Sequence, residues 1–326
     1  MSTKLANLAA APRRASPALI AGAVIGAGLA AAYLAVRVKT AAVERTHPPL
    51  GKFIEIDGVR LHYLERGAGP TIVLLHGNGV MADDFQFSGL LDCLAKTNHV
   101  LAFDRPGFGY STRPAGTDWT PEAQAQLLHR ALQALHIAQP IVVGHSWGTL
   151  VALAMALDHP GHVRALALLG GYYYPSLRVD AFLNSLAALP VVGTLWRYTA
   201  APLLGRMLWP ALSKQIFAPA PVPARFGQLP PWMALRPSQL QATAAENGLM
   251  VPAARRLSKR YGELALPVAL VAGLGDKLIS PKKNSGRLHA ELADSKLALP
   301  DGAGHMVHYN KITQIVDAIS ALSSRK

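Results

Sequence analysis

A serine stands between two glycines in the stretch Gly144-His145-Ser146-Trp147-Gly148, which follows an apolar, strand-like run and opens a predicted helix. On a sharp strand-to-helix turn, side chains two residues before and two residues after the nucleophile would collide. Gly144 and Gly148 remove those collisions, and the turn lifts the Ser146 hydroxyl clear of the sheet. The helix start behind it adds positive potential where an oxyanion would form. The pattern therefore predicts nucleophilic attack by Ser146 on an acyl group.

A serine hydroxyl is a weak nucleophile without a base, so a histidine must lie beside it in the fold. Of the twelve histidines, His305 has the most suitable position, in a Gly-Ala-Gly-His loop after the last predicted strand. The sites of open α/β sheets gather in such loops. His308 is the competitor, but we expect it to open the final helix. His305 is therefore the predicted general base.

An imidazole that acts as a base needs a carboxylate to fix its tautomer and to support its positive charge. Asp276 is the best candidate, because it lies just past the apolar run Val268–Ala272. Asp294 precedes a strand and would lie at the opposite edge of the sheet, and Asp301 is expected to cap a turn. The predicted triad is Ser146, His305 and Asp276.

Apolar, strand-like runs alternate with predicted helices along most of the chain. Strands are predicted over Lys52–Ile56, Val59–Leu64, Thr71–Leu75, Val100–Phe103, Ile141–Val143, Ala165–Leu169, Val268–Ala272 and Lys296–Leu299, and helices over Asp83–Lys96, Pro121–Leu135, Thr149–Asp158 and Lys311–Leu322. An Asp-Gly pair joins the first two strands as a hairpin. Continuous apolar strands with helices between them indicate a mostly parallel sheet covered on both faces.

The order serine, aspartate, histidine is that of the α/β-hydrolase superfamily. From about Phe53 to its C-terminus the chain resembles α/β-hydrolases with a helical cap. The motifs that carry the resemblance are His-Gly-Asn-Gly at 76–79, Asp-Arg-Pro-Gly-Phe-Gly-Tyr-Ser at 104–111, Gly273–Pro281 and the loop that ends at His305. The resemblance implies an α/β-hydrolase fold with a cap insertion, and a serine hydrolase that forms an acyl-enzyme intermediate.

The resemblance also implies that the backbone N–H groups of Asn78 and Trp147 form the oxyanion hole, and that His76 braces the loop before Asn78. Neither a metal nor an organic cofactor is implied. The same loop and the tryptophan after the nucleophile are similar to haloalkane dehalogenases and epoxide hydrolases, which use an aspartate as nucleophile. Ser146 argues against that chemistry, because a serine alkyl ether would not be hydrolysed.

Residues 171–263 interrupt the alternation of strands and helices and are predicted to form a helical cap on a core of residues 52–170 and 264–326. The cap has ten Lys and Arg residues against three acids, with many large apolar side chains. It is either a packed cap with solvated arginines or a face that rests on anionic lipid and admits hydrophobic acyl chains. The second interpretation predicts apolar, lipid-like ester substrates. Carbon–carbon or amide hydrolysis, or a non-catalytic binding or scaffold protein, are the alternatives.

Residues 18–36 carry no charge, and nineteen helical residues span roughly 28 Å, close to the thickness of a bilayer's hydrocarbon core. The sequence predicts an N-terminal tail at 1–16, a single-span membrane anchor at 17–38 and a linker at 39–51. The alternative is a signal peptide cleaved at its alanine run. Basic residues on both sides of the span leave its orientation open.

Composition limits the remaining classes of protein. The chain is 51% hydrophobic and 16% charged, which is typical of a folded protein. A formal charge of +13 would suit nucleic acid or an anionic membrane. The sequence has no zinc-finger spacing and no basic-aromatic strand pattern, so no nucleic-acid partner is predicted. Cys93 is the single cysteine, which excludes an intrachain disulfide and a cysteine metal cluster.

Overall fold

The computed structural model describes residues 16–324, so the predicted N-terminal tail lies outside the described residues except for Ser16. Eight strands form one sheet in the order β1-β2-β4-β3-β5-β6-β7-β8. They are β1 (Lys52–Ile56), β2 (Val59–Arg66), β3 (Thr71–Leu75), β4 (His99–Phe103), β5 (Ile141–His145), β6 (Ala165–Leu169), β7 (Val268–Val271) and β8 (Ser295–Ala298).

The sheet is antiparallel at one side and parallel elsewhere. β2 pairs antiparallel with β1 and β4, while the strands from β4 to β8 in the sheet order run parallel. Leu75 pairs with Phe103, and Leu169 pairs with both His145 and Val271. The carboxyl ends of these strands therefore lie at one edge of the sheet. This arrangement confirms the predicted α/β-hydrolase fold.

Helices of varied length connect the strands. They are α1 (Pro17–Thr46), α2 (Asp83–Ser88), α3 (Leu90–Leu94), α4 (Pro121–Ala134), α5 (Gly148–Asp158), α6 (Val179–Ser185), α7 (Val192–Tyr198), α8 (Ala200–Phe217), α9 (Pro231–Ala234), α10 (Pro237–Leu257), α11 (Arg287–Glu291), α12 (Val307–Asn310) and α13 (Ile312–Ser323). The Thr120 hydroxyl caps α4 by accepting the N–H of Ala123 at 3.2 Å. The single helix predicted over Asp83–Lys96 is instead two short helices, because Gly89 between them has φ +81°.

Alternating strand residues build a core on each face of the sheet. Val73 and Leu75 pack with residues of α4 and α5, such as Leu128. Ile72 and Leu74 pack on the other face with residues of α2, α3 and α13. Helices on both faces leave the carboxyl edge as the place where connecting loops can hold functional side chains.

Five helices, α6 to α10, lie between β6 and β7, where the sequence predicts the cap. Their connections include two short 3₁₀ turns and several prolines, which explains why the alternation of strands and helices stops here. α10 is the longest of the five and packs against both α5 and α6. It is therefore the element that attaches the cap to the core.

The N-terminal helix is longer than the predicted span. α1 continues to Thr46, so residues 39–46 of the predicted linker at 39–51 are helical. The helix ends where Pro48 follows, because a residue before proline is disfavoured in helical geometry. Val43 is buried against the protein, which supports the added turns. α1 is the one helix of the described residues that alone has the length and apolarity to cross a membrane.

Candidate active site

Ser146 lies on a tight turn between the end of β5 and the start of α5. Its backbone has φ +50°, a left-handed conformation that is uncommon outside glycine. A Cβ atom on Gly144 would approach the carbonyl oxygen of Gly148 to 2.6 Å, and one on Gly148 would approach the carbonyl oxygen of Leu75 to 2.3 Å. Both positions therefore require glycine, and the Ser146 N–H donates to the Leu169 carbonyl at 2.8 Å. The hydrogen bond to the end of β6 helps to hold the strained turn in place.

The three side chains predicted as a triad form one hydrogen-bonded chain. His305 Nε2 lies 2.9 Å from Ser146 Oγ, and His305 Nδ1 lies 2.8 Å from Asp276 Oδ2. The second carboxylate oxygen of Asp276 accepts the N–H groups of Leu278 and Ile279 at 2.8 and 3.0 Å. With Nδ1–H donating to the carboxylate, Nε2 presents its lone pair to the serine hydroxyl. This geometry suits transfer of the hydroxyl proton to His305.

The loops that carry His305 and Asp276 hold each other and the cap. The N–H of Gly275 donates to the Ala303 carbonyl at 3.0 Å, which joins the two loops. The N–H of His305 donates at 3.0 Å to the carbonyl of Ile216, a residue of the cap helix α8. Cap and core therefore fix the imidazole together.

The alternative candidates for the base and the acid lie outside this hydrogen-bonded chain. His308 is in α12, fully buried, with its Nε2 2.8 Å from the Asp84 carboxylate. Asp294 precedes β8, away from the carboxyl edge. The Asp301 carboxylate accepts the N–H of Gly302 at 2.9 Å, as expected for a turn cap. Neither His308 nor Asp301 is hydrogen-bonded to Ser146 or His305 in the described part of the chain.

The loop after β3 comes close to the serine. A Cβ atom on Gly77 would lie 3.1 Å from the Cβ of Ser146. The backbone N–H groups of Asn78 and Trp147 have no protein acceptor within residues 16–324. A polar group at such a site needs a partner, which a substrate oxygen can supply. The Asn78 side-chain amide donates to Thr243 and Asn247 of the cap helix α10, at 3.1 and 3.2 Å.

Two buried side chains hold the peptide group that precedes the Asn78 N–H. Burial and the nearby Arg105 charge lower the pKa of His76 to about 3, so this ring is neutral. Its Nδ1–H donates to the Gly77 carbonyl at 2.7 Å, and Arg105 Nη2 donates to the same carbonyl at 3.1 Å. In a trans peptide the next N–H points away from that carbonyl. His76 and Arg105 therefore determine where the Asn78 N–H points.

A buried ion pair that the sequence analysis did not identify joins this loop to the cap. The Arg105 guanidinium pairs with the carboxylate of Glu246 in α10, and both side chains are fully buried. Gln124 donates to the same carboxylate at 3.1 Å, and Trp147 Nε1 donates to the Glu246 carbonyl at 3.1 Å. An isolated acid in an arginine-rich cap is the one sequence signal that could have singled out Glu246.

A second cluster lies behind the serine and was also missed. His145 Nε2–H donates to the His305 carbonyl at 3.1 Å, and Asp84 accepts from His308 and from the Tyr309 hydroxyl at 2.8 Å each. Burial, together with the neighbouring His308 and His305, holds the pKa of His145 well below its usual range. Asp84, His145 and His308 offer potential metal-ligand atoms within 4.8 Å of one another. The Nδ1 atoms of His145 and His308 have no partner in the described residues, whereas both Nε2 atoms and Asp84 are hydrogen-bonded. The absence of a metal stays a prediction.

Comparison with known proteins identifies the class. A family model described as the alpha/beta hydrolase fold matches residues 70–312, so the chain belongs to that family. The 2-hydroxymuconate semialdehyde hydrolase of Pseudomonas sp. (strain CF600) is 36% identical over 124 residues, which is 38% of this chain and 44% of that protein. The match thus spans less than half of that relative.

Two further proteins match over greater lengths. Haloalkane dehalogenase 2 of Mycobacterium bovis is 26% identical over 268 residues, 80% of this chain and 90% of that protein. The crystal structure of a membrane phospholipase A, described as a bacterial virulence factor, has a TM-score of 0.66 at 21% identity. The match includes all of that protein and 95% of this chain. Together the comparisons indicate a hydrolase, and the structural likeness confirms the fold.

Proposed function

We propose that this chain is a serine hydrolase that cleaves carboxylic esters through a Ser146, His305 and Asp276 triad. The observation that carries the proposal is the unbroken hydrogen-bonded chain from Ser146 Oγ through His305 to Asp276, with distances of 2.9 and 2.8 Å. Proton transfer to His305 activates the serine, and the carboxylate supports the imidazolium that forms. This function agrees with membership of a hydrolase family.

The reaction proceeds in two halves. Ser146 Oγ attacks the ester carbonyl carbon while its proton passes to His305 Nε2. The bond to the leaving alcohol breaks as His305 returns that proton to the alcohol oxygen, which leaves an acyl group on Ser146. Water then loses a proton to His305, attacks the acyl carbon and releases the carboxylic acid, and the proton returns to Ser146 Oγ. These steps need no metal or organic cofactor.

The oxyanion that forms in each half requires donors. We assign that role to the backbone N–H groups of Asn78 and Trp147, which have no protein acceptor within residues 16–324. Loss of one such donor typically lowers kcat by about 10²–10³. The fixed peptide group before Asn78 supports this assignment, because a donor that is already oriented needs no reorganisation during the reaction.

The proposed substrates are esters with apolar, lipid-like acyl chains at a membrane. α1 supports this proposal, because residues 18–36 carry no charge and the helix has no buried residue up to residue 32. One of the similar solved structures, which matches 95% of this chain, is that of a membrane phospholipase A. We propose that α1 is a retained single-span anchor; cleavage as a signal sequence is the alternative.

The test measures turnover of p-nitrophenyl esters of graded acyl length by the full chain and by Ser146→Ala. Removal of a triad serine should lower kcat on the order of 10⁶-fold. Turnover that rises with chain length and disappears in the variant would establish the esterase. No turnover, with a fluorophosphonate that still labels Ser146, would mean a live nucleophile with another substrate. Loss of both would favour a binding or scaffold protein.

Carbon–carbon hydrolysis is the second candidate, because a 124-residue stretch is 36% identical to a 2-hydroxymuconate semialdehyde hydrolase. The same triad and the same two N–H donors would serve that reaction. Loss of the visible absorbance of 2-hydroxymuconate semialdehyde, compared with hydrolysis of a p-nitrophenyl ester, distinguishes the two. A matched anilide tests amide cleavage in the same assay.

A further inference from the structure

The cap displays apolar side chains that a water-exposed surface seldom carries together. Of the twenty-five exposed large apolar side chains within residues 16–324, eight are in α1 and fifteen lie between Leu177 and Leu212. Leu177 is 90% exposed, Val191 80% and Met207 68%. Four of the ten cap cations, Arg178, Arg236, Arg256 and Arg260, pair with carboxylates of the protein. The cap therefore presents a large apolar surface as well as exposed cations such as Arg206.

The exposed residues form ordered stripes. Val179, Phe182, Leu183 and Leu186 recur at the three- and four-residue spacing of one helix face, along α6 and the turn that follows it. Leu204, Leu208 and Leu212 recur every four residues along α8. An amphipathic helix normally turns such a stripe toward the protein core. Here both stripes are exposed, and we call them, together with the exposed Val191, Leu195 and Trp196 of the chain between α6 and α8, the apolar cap face.

α1 leaves the body of the protein beside this face. Its first half, up to residue 32, has no buried residue, whereas Val36 is fully buried. The Tyr33 ring lies 6.1 Å from the ring of Tyr198 in α7, and Glu44 pairs with Arg236 of the cap at 3.0 Å. The second half of α1 is thus fastened to the cap, so the free half and the apolar cap face keep a fixed relation.

The length of the exposed first half of α1 determines where the cap lies relative to the membrane surface. Residues 17–32 rise roughly 24 Å as a helix, which is most of the hydrocarbon thickness of a bilayer. With this half in lipid, α7 lies at the membrane surface, because Tyr33 and Arg37 line one cavity with Val191 and Leu195. The exposed Arg37 is then at the level of the headgroups, where cations are favourable.

We propose that the apolar cap face inserts into the leaflet from which α1 emerges, and that the site receives its ester from that leaflet. The second clause rests on the proposed function, whereas the first does not. The apolar cap face also connects to the site through both of its helices. Near the end of α8, the Ile216 carbonyl accepts the N–H of His305. α6 packs on α10, whose Thr243 carbonyl accepts the side-chain amide of Asn78. A lipid surface explains the stripes and their continuity with α1 together.

Trp196 provides a probe of the first clause, because it is 44% exposed on the apolar cap face. Of the other four tryptophans, Trp119 and Trp147 are buried and Trp209 and Trp232 are half-buried, so the Trp196 signal is obtained by difference. The full chain is reconstituted in phosphatidylcholine vesicles, and its fluorescence is quenched with lipids brominated at different acyl depths. The fluorescence of Trp196, taken as the difference between the parent protein and Trp196→Phe, should fall at least two-fold with lipids brominated near the carbonyl group. Equal quenching of both proteins, or none, would overturn the insertion.

Charges placed on the face test the second clause. The double variant Phe182→Asp/Leu183→Asp should lower turnover of a long-chain ester in vesicles at least ten-fold, with turnover of dissolved p-nitrophenyl butyrate within two-fold of the parent. Leu50→Asp is the matched control, because Leu50 is 63% exposed outside the cap and should change neither rate. Unchanged vesicle turnover in the double variant would overturn delivery from the leaflet.

The proposal and the proposed function fail in different ways. Absence of ester turnover in the parent protein removes the proposed function, while the bromolipid result still decides insertion. A second copy of the chain is the other possible occupant of the face. Absence of quenching together with an interchain cross-link at Leu195→Cys would show self-association and overturn the proposal.

Discussion

Two aspartate–histidine pairs have the same hydrogen-bond length and different surroundings. At the carboxyl edge of the sheet, Asp276 and His305 are 2.8 Å apart, and the second imidazole nitrogen reaches Ser146. Between α2 and α12, Asp84 and His308 are also 2.8 Å apart, but both side chains are fully buried and His308 Nδ1 has no partner in the described residues. The pair itself is common to both places. The two pairs differ in what the second imidazole nitrogen contacts, which is the Ser146 hydroxyl for His305 and no described residue for His308.

A third pair supports the same conclusion. Asp104 and His62 are 2.7 Å apart and buried, and the second nitrogen of His62 accepts the N–H of Gly51 at 3.2 Å. This imidazole holds the chain before β1 against the loop after β4. Such a ring stabilises structure, because both of its nitrogens are used within the protein.

The largest expected effect is on catalytic activity, and it distinguishes the Asp276–His305 pair from the buried Asp84–His308 pair. Asp276→Asn should lower kcat for ester hydrolysis on the order of 10⁴-fold, because an amide that donates to the imidazole favours the wrong tautomer. The free energy of unfolding should change much less. Steady-state kinetics with a p-nitrophenyl ester, alongside urea unfolding, measures both. Asp301→Asn, an exposed aspartate in the neighbouring loop, is the control. Equal losses in the two variants would contradict the assigned role of Asp276.

The next effect concerns stability and the link between cap and core. Glu246→Gln leaves the buried Arg105 guanidinium without its carboxylate, and such a change costs about 3–5 kcal/mol of unfolding free energy. The matched control is Arg256→Gln, which removes a partly exposed ion pair with Glu122 and should cost at most about 1 kcal/mol. Urea unfolding measures both variants. Similar losses in the two would mean that the buried pair contributes no more stability than an exposed one.

The sequence could predict those features that depend on neighbouring residues. All eight strands were predicted within two residues at each end, because each is a short run of apolar residues bounded by turn signals. The proximity of Ser146, His305 and Asp276 could also be predicted, since these residues follow strands whose carboxyl ends must share one edge. Their catalytic roles stay a prediction. The same holds for the requirement for glycine at 144 and 148, which comes from the turn itself.

Contacts between distant residues could not be predicted in this way. Arg105 and Glu246 are 141 positions apart, and Asp84 and His308 are 224 apart, so no local pattern connects them. The outward direction of the α6 and α8 stripes was equally hidden, because helical spacing shows that a stripe exists and not what it faces. The helical turns at 39–46 were missed because their stability comes from burial of Val43 against the body of the protein.

A smaller effect, on the free energy of unfolding, is expected at the buried Asp84–His308 pair. Asp84→Asn removes a charged acceptor that takes hydrogen bonds from His308 and from the Tyr309 hydroxyl. We expect a loss of about 1–3 kcal/mol in unfolding free energy, the range for hydrogen bonds to charged groups. Since neither Asp84 nor His308 contacts Ser146, kcat should stay within ten-fold of the parent. A loss near that of Asp276→Asn would mean that this pair also acts in the reaction.

The smallest effect depends on pH. Burial and the neighbouring Asp104 charge raise the pKa of Asp83 to about 6, from 3.8 in the unfolded chain. Between these values the folded state binds more protons than the unfolded state, so the stability from this group falls as pH rises through that window. The cost is complete above pH 6 and absent below pH 4. Asp83→Asn removes it and should stabilise the protein at pH 7.5 by about 1 kcal/mol relative to pH 4, since the side chain is partly exposed. Urea unfolding at both pH values measures the difference, and a gain that is the same at the two would show that Asp83 is ionised freely in the folded state.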